Sequence, residues 1–199
     1  MKLINSLIGI VVALFLFFNF SNFKSIDDLI QFVIGSSPSI DVIEKDNSHK
    51  SDTHLEKGII SQHVDGDTIK VEFSGGKIET IRLLLIDTPE TVKPNTPEQP
   101  FGREASDYIK ERLIKDTVVE IERGIIERDK YGRLLAYVYK DGELINKELI
   151  EKGLARIAYV YEPNIKYLDE LREAEKRARV QKNGIWSIEN YVTDNGFNQ

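Results

Sequence analysis

Apolar positions recur with three different periods along this chain. From Leu3 to Phe23 there is no charged residue, and Leu7 to Phe18 ("LIGIVVALFLFF") is broken only by a glycine. A run apolar on every face predicts a hydrophobic helix over residues 1–24, and at about 1.5 Å per residue some 20 residues reach across a ~30 Å hydrocarbon layer. Residues 25–56 lose that pattern: "GSSPSID" and "EKDNSHKSD" mix Ser, Pro, Asp and Lys, which predicts a polar linker.

Alternation of β-branched and polar residues then sets in, within a body spanning 57–190. "KGIISQHV", "DTIKVEF" and "KIETIRLLL" predict three strands, with "SGG" (Ser74 to Gly76) as a hairpin turn. "FGREASDYIKERLIK" changes the period, placing Ala105, Tyr108, Ile109 and Leu113 on one helical face. "TVVEIER" and "LLAYVY" predict two more strands, followed by the "KDGE" turn and a short helix capped by Asn146 and ended by Gly153. A last helix carries Leu168, Leu171, Ala174 and Ala178 and stops at Asn183 and Gly184. Residues 191–199 are set apart as a C-terminal tail. This order predicts an α+β fold, a five-stranded barrel of the OB type with about three α-helices, preceded by the N-terminal hydrophobic helix.

Charge and cysteine usage narrow the chemistry. The formal net charge is −6, and from Lys57 onward 23 Lys+Arg face 26 Asp+Glu. A protein that holds nucleic acid by bulk charge should be basic, so any phosphate chemistry must come from a local site. No cysteine is present, which removes disulfides, thiolate metal sites and cysteine nucleophiles. Lys2 precedes the apolar run and "NFSNFK" closes it without a small-residue cleavage motif. The segment is read as an uncleaved signal anchor, with a cleaved signal peptide as the alternative, and the charge bias favours an exported body.

Three stretches carry charges that a plain strand does not need. "VDGDT" (Val64 to Thr68) reads as a bend, yet Asp67 also offers a hard oxygen to a divalent cation if a second carboxylate lies near. "RLLLIDTPET" (Arg82 to Thr91) supplies that carboxylate in Asp87, although Arg82 and Asp87, five apart, would face opposite sides of a regular strand. A bulge or turn must bring them together. In "RDKYGRLLAY", Arg133 follows a glycine at a strand start, where its fork can reach a phosphate or simply lie in solvent. His49, His54 and His63 offer no catalytic context, and no nucleophile elbow occurs.

In this order and spacing "VDGDT", "RLLLIDTPET", "DKYGRLLAY" and "GLARIAYVYEPN" resemble the staphylococcal nuclease (thermonuclease) family of calcium-dependent nucleases, from about Lys57 to Trp186. The resemblance implies hydrolysis of phosphodiester bonds in DNA, single- or double-stranded, and in RNA, leaving 3′-phosphorylated products. It places Asp67, Asp87 and the Thr88 carbonyl on the Ca2+-binding positions, with Asp65 in a supporting position beside the metal. It places Glu90 on the general base and Arg82 and Arg133 on the arginines that grip the scissile phosphate. Lys130, Tyr131, Tyr159 and Tyr161 fall on nucleotide-pocket positions, although the two later tyrosines could equally be packing at a strand end. "YEPN" falls where the family has a cis X-Pro bond. The "TVKPNTPEQP" loop departs from the family's mobile substrate-side segment, with one lysine and three prolines. The expected protein is a monomer, tethered at the cell membrane with an extracellular catalytic domain or secreted after signal cleavage. The alternative is a non-catalytic nucleic-acid-binding module of the same fold.

Overall fold

The computed structural model describes residues 55–91 and 98–198. The hydrophobic helix expected over 1–24 and the linker expected over 25–56 lie outside these residues, except that Leu55 and Glu56 are described and Glu56 already belongs to the first strand, and most of the "TVKPNTPEQP" loop lies outside as well. Among the described residues no helix is long and apolar enough to cross a membrane.

The alternating segments build one curved sheet. Strands β1 (Glu56–Asp65), β2 (Thr68–Phe73) and β3 (Ile78–Leu83) form an antiparallel meander. After the short β4 (Ile86–Asp87) and helix α1 (Gly102–Arg112) come β5 (Val118–Arg128) and β6 (Leu134–Lys140), with β5 pairing antiparallel to β1 and β6. Parallel pairing of β3 with β6, Ile81 opposite Leu134 through Leu83 opposite Ala136, closes the sheet into the expected five-stranded barrel. β1 carries one extra residue at Ser61 and another at Val64 relative to β2. Such bulges increase local twist, which a closed barrel of few strands requires.

Every second residue points inward, as the alternation requires: Ile69 and Val71, Ile81 and Leu83, Val119 and Ile121, and Leu134, Ala136 and Val138 are all buried. Each buried Val, Leu or Ile among them contributes about 1.5–3 kcal/mol of transfer free energy, offset by the ordering of the chain. Helix α1 covers the barrel with Ala105 and Ile109, and Leu113 follows at its end. After the hairpin strand β7 (Glu143–Leu144), helix α2 (Ile145–Glu151) buries Leu149 and Ile150. The two-residue strand β8 (Arg156–Ile157) pairs with β4, and helix α3 (Leu168–Gln181) buries Leu168, Leu171, Ala174 and Ala178.

Several local expectations change. The third strand stops at Leu83 and the chain turns at Leu84 and Leu85, with Leu85 at a left-handed φ of 63°. The strand expected over "TVVEIER", β5, runs on to Arg128. Asn146 is not a helix cap: it is fully buried, its Oδ1 accepts from the Val138 amide (3.1 Å) and its Nδ2 donates to the Leu84 carbonyl (2.9 Å). In the stretch set apart as the tail, Val192–Thr193 (β9) and Gly196–Phe197 (β10) form a small hairpin.

Candidate active site

The turn at Leu84–Leu85 resolves the parity problem posed by Arg82 and Asp87. Arg82 Nη1 donates to the carbonyls of Leu83 (3.1 Å) and Ile86 (3.0 Å), so the guanidinium caps the turn. Its Nη2 then lies 3.0 Å from Asp67 Oδ2 and 3.4 Å from Asp87 Oδ1. The Arg82 side chain is only 9% exposed, between two acids from separate strand ends. A buried charge with this many partners is compensated, which answers the cost that such a cluster otherwise carries.

The Asp65–Asp67 bend is a turn, as its sequence predicts. Gly66 is required by close approach: a Cβ there would lie 2.8 Å from Thr88 Oγ1 and 2.9 Å from Ala105 Cβ. The bend therefore packs directly on the "DTPE" segment. The Thr88 amide donates to Asp67 Oδ2 (3.2 Å) and the Thr68 hydroxyl donates to Asp67 Oδ1 (2.9 Å). Asp65 Oδ1 accepts from the Gly66 amide (2.7 Å) and the Thr91 hydroxyl (3.0 Å). Burial pushes the Asp65 carboxyl up to about 7, opposed by the Gly66 amide and reinforced by Asp67 and Glu90. Burial also raises Asp87, helped by the charge of Asp67 and opposed by Arg156 and Arg82. Gln99 fixes the Glu90 backbone from both sides, its amide donating to the Glu90 carbonyl (3.0 Å) and its Oε1 accepting from the Glu90 amide (2.8 Å).

Arg133 comes from just before β6, the strand paired with β3. Asp129 Oδ1 accepts from its amide (2.9 Å) and Oδ2 from its Nε (2.7 Å), which orients the guanidinium. Against the upward push of burial, these bonds and the Tyr131 amide hold Asp129 below the usual carboxylate range. Each arginine is backed by a ring: Arg82 Cζ lies 5.3 Å from the centroid of Tyr159, and Arg133 Cζ 5.6 Å from that of Tyr131. Lys130 Nζ also sits over Tyr131.

Asp65, Asp67, Arg82, Asp87, Thr88, Glu90, Lys130, Tyr131, Arg133, Tyr159 and Tyr161 all line one open cleft of about 1050 Å³. Tyr159 and Tyr161 lie beyond the end of β8 and are 56% and 70% exposed, so they do not pack in the core. The Glu162–Pro163 bond just after them is cis. His63 has a structural contact, its Nε2 2.7 Å from the Leu113 carbonyl.

The sequence reading missed Arg156. It is buried opposite Asp87 on β8, with Nε 3.1 Å and Nη2 3.0 Å from Asp87 Oδ2. The signal was available: an arginine inside the apolar run "LARIAY" needs a charged partner just as Arg82 does.

Among the described residues no three His, Asp or Glu side chains form a ready-made metal cluster. The donors present nevertheless suit a hard cation. Asp67 and Asp87 are carboxylates, and Thr88, which follows Asp87 and whose amide donates to Asp67, also has a buried Oγ1 with no hydrogen-bond partner among the described residues. An all-oxygen set favours calcium or magnesium over zinc.

Comparison with known proteins agrees with this geometry. The family profile described as "Staphylococcal nuclease homologue" matches residues 80–188. The chain is 52% identical over 140 residues to the SPbeta prophage-derived endonuclease YokF of Bacillus subtilis, covering 70% of this chain and 47% of YokF. It is 49% identical over 150 residues to endonuclease YncB of the same organism, covering 75% of this chain and 70% of YncB. A thermonuclease of Staphylococcus hyicus is 48% identical over 124 residues, covering 62% of this chain and 72% of that protein. The chain thus spans about half the length of YokF and more of the other two. With the matched profile, these likenesses and a barrel that gathers the motif residues into one cleft, the chain belongs to the staphylococcal nuclease family.

Proposed function

We propose that the protein is a calcium-dependent nuclease that hydrolyses phosphodiester bonds of DNA and RNA and leaves 3′-phosphorylated products. The observation that carries this reading is the placement of Arg82 Nη2 between Asp67 Oδ2 (3.0 Å) and Asp87 Oδ1 (3.4 Å) at the wall of an open cleft. Cationic and anionic groups meet there in the arrangement that a phosphodiester and a divalent ion would share.

Asp67, Asp87 and the Thr88 carbonyl would hold the calcium ion, with Asp65 supporting them. Bound calcium supplies Lewis-acid stabilisation of negative charge on the phosphate. Arg82 on β3 and Arg133 beside the paired strand β6 would donate to phosphate oxygens as charge accumulates on them, and the turn carbonyls and Asp129 that hold their guanidinium groups limit reorganisation during reaction. Glu90, its backbone clamped by Gln99, accepts the proton of the attacking water. Tyr131, Tyr159 and Tyr161 present ring faces at the cleft, where stacking adds about 1–3 kcal/mol per base without choosing a sequence.

In the same reading the apolar residues 1–24 support an activity outside the cytoplasm, on a membrane tether or in the medium, with the catalytic body acting as a monomer. Incubation with single-stranded DNA, double-stranded DNA and RNA, with calcium and with chelator, tests the enzyme. Chelator-sensitive cleavage to 3′-phosphate ends is expected. Binding without cleavage would point to the non-catalytic module instead.

A further inference from the structure

The C-terminal segment Tyr191–Asn198 lies beyond residues 80–188, which the family profile matches, yet it touches Arg156, the partner of Asp87, and Pro100, the neighbour of Gln99 that holds Glu90. Arg156 provides the first contact. Its guanidinium has Nε and Nη2 on Asp87 Oδ2, and its Nη1 donates to the carbonyls of Thr193 (3.3 Å) and Asp194 (3.4 Å). Its Cζ also sits 5.6 Å from the ring centroid of Phe197. Because Arg156 takes Oδ2 with two donors, the rotation of the Asp87 carboxylate is set. Oδ1 is the oxygen turned toward Arg82, inside the cleft.

Tyr191 provides the second contact. It is buried, and its hydroxyl donates to the Pro100 carbonyl (2.7 Å). Pro100 follows Gln99, the residue that holds the Glu90 backbone from both sides. The hairpin closes on Tyr191 through the Asn198 amide, which donates to its carbonyl (2.8 Å), and through the Phe197 ring at 5.4 Å.

We propose that Arg156 and Tyr191 are positioning residues through which the C-terminal hairpin braces the cleft, Arg156 by fixing which oxygen Asp87 presents and Tyr191 by fixing Gln99 and with it Glu90. The inference rests on the nuclease reading above. It separates two effects: Arg156 acts on cation binding, and Tyr191 acts on turnover.

Full-length Arg156→Met, Arg156→Lys and Tyr191→Phe test it, with calcium affinity measured by titration calorimetry without substrate, and kcat and KM measured on single-stranded DNA. Partners that orient metal ligands change affinity by about 10–100-fold when removed, so Arg156→Met is expected to weaken calcium binding by that factor. Arg156→Lys, which keeps the charge but loses the two-point grip, is expected to recover only part of it. Tyr191→Phe is expected to leave calcium affinity unchanged and lower kcat by about threefold to tenfold, the range of one hydrogen bond. If Arg156→Met fails to fold, the other two variants carry the test. Unchanged calcium affinity in Arg156→Lys, or unchanged kcat in Tyr191→Phe, beside an active wild type overturns the brace alone. A wild type that neither binds calcium nor cleaves removes the nuclease reading first and the brace with it.

Discussion

Gly153 and Gly184 meet backbone to backbone: a Cβ on Gly153 would lie 2.2 Å from the Asn183 carbonyl oxygen, and one on Gly184 would lie 2.1 Å from that of Gly153. Both have positive φ, 66° and 48°, and the Ile185 amide donates to the Gly153 carbonyl (2.8 Å). The contact joins the end of α2 to the end of α3. Alanine at Gly153 adds a strained φ to an overlap that only backbone movement relieves. Gly153→Ala is expected to lower the unfolding free energy by about 2–4 kcal/mol, measured by urea denaturation. A change under about 0.5 kcal/mol would show that the two helix ends are loosely joined.

Asn146 makes a different kind of stability prediction. Its amide satisfies the Val138 N–H and the Leu84 carbonyl, both inside the fold. Replacing it with Ala or Leu leaves two buried backbone groups without partners, at about 1–3 kcal/mol each. The Leu84 contact also supports the turn that brings Arg82 to Asp87. Asn146→Ala is therefore expected to cost about 2–5 kcal/mol in denaturant titrations and to lower turnover as well. Loss of stability with unchanged kcat would separate the turn from the amide.

Arg82, Arg133 and Glu90 are expected to behave unequally. On the proposed mechanism Arg82→Gln, Arg133→Gln and Glu90→Gln each lower turnover by about 10²–10⁴-fold. Arg133 is half-exposed and tied to one acid, so its removal should spare the fold. Arg82 is buried among two carbonyls and two carboxylates, and removing it leaves Asp67 and Asp87 facing each other. Arg82→Gln is expected to cost about 3–5 kcal/mol of stability as well. Thermal melts beside initial rates distinguish these outcomes, and losses of only a few-fold in all three variants would refute the assigned roles.

How far the sequence carries this site depends on which forces are local. Alternation of apolar residues is local, so the strands that line the barrel core, Ile69 with Val71 or Leu134 with Ala136, are legible. The Asp141-Gly142 turn is legible too, since both residues adopt the positive φ that a two-residue hairpin needs. Leu85 is not: nothing in a leucine predicts a left-handed φ. The turn there is imposed from outside, by the Leu84 amide donating to the Ala136 carbonyl, Asn146 donating to the Leu84 carbonyl, and the Ala158 amide donating to the Leu85 carbonyl. The same applies to β5, whose sequence pattern "TVVEIER" stops before Gly124 although the strand continues to Arg128. That glycine is no strand breaker but a gap for the Asn164 amide, 2.7 Å from where a Cβ would stand. The motif residues were therefore legible, and the bend that makes them converge was not.

Asp65 leads to the last prediction. Burial, with Asp67 and Glu90 nearby, pushes its carboxyl from 3.8 to about 7 in the folded, metal-free protein. The folded state then binds this proton more tightly than the unfolded chain. Stability from this group is full below about pH 4 and is lost as pH rises toward 7, the reverse of a salt-bridged aspartate. Glu79, pulled down to about 2 by hydrogen bonds from Arg128 and Lys77, has the opposite slope and loses its contribution as pH falls below about 4. The two windows barely overlap, so a difference measurement isolates Asp65. Asp65→Asn keeps an acceptor for the Gly66 amide and the Thr91 hydroxyl and removes the titration. In chelator, wild type is expected to lose unfolding free energy relative to Asp65→Asn between pH 4 and 7. Calcium should flatten that difference, because a cation beside the cluster favours the ionised acid. Calorimetry at pH 6 in buffers of different ionisation enthalpy should show proton release on calcium binding by the wild type and less of it by the variant. Equal proton release by both would place the titrating group elsewhere.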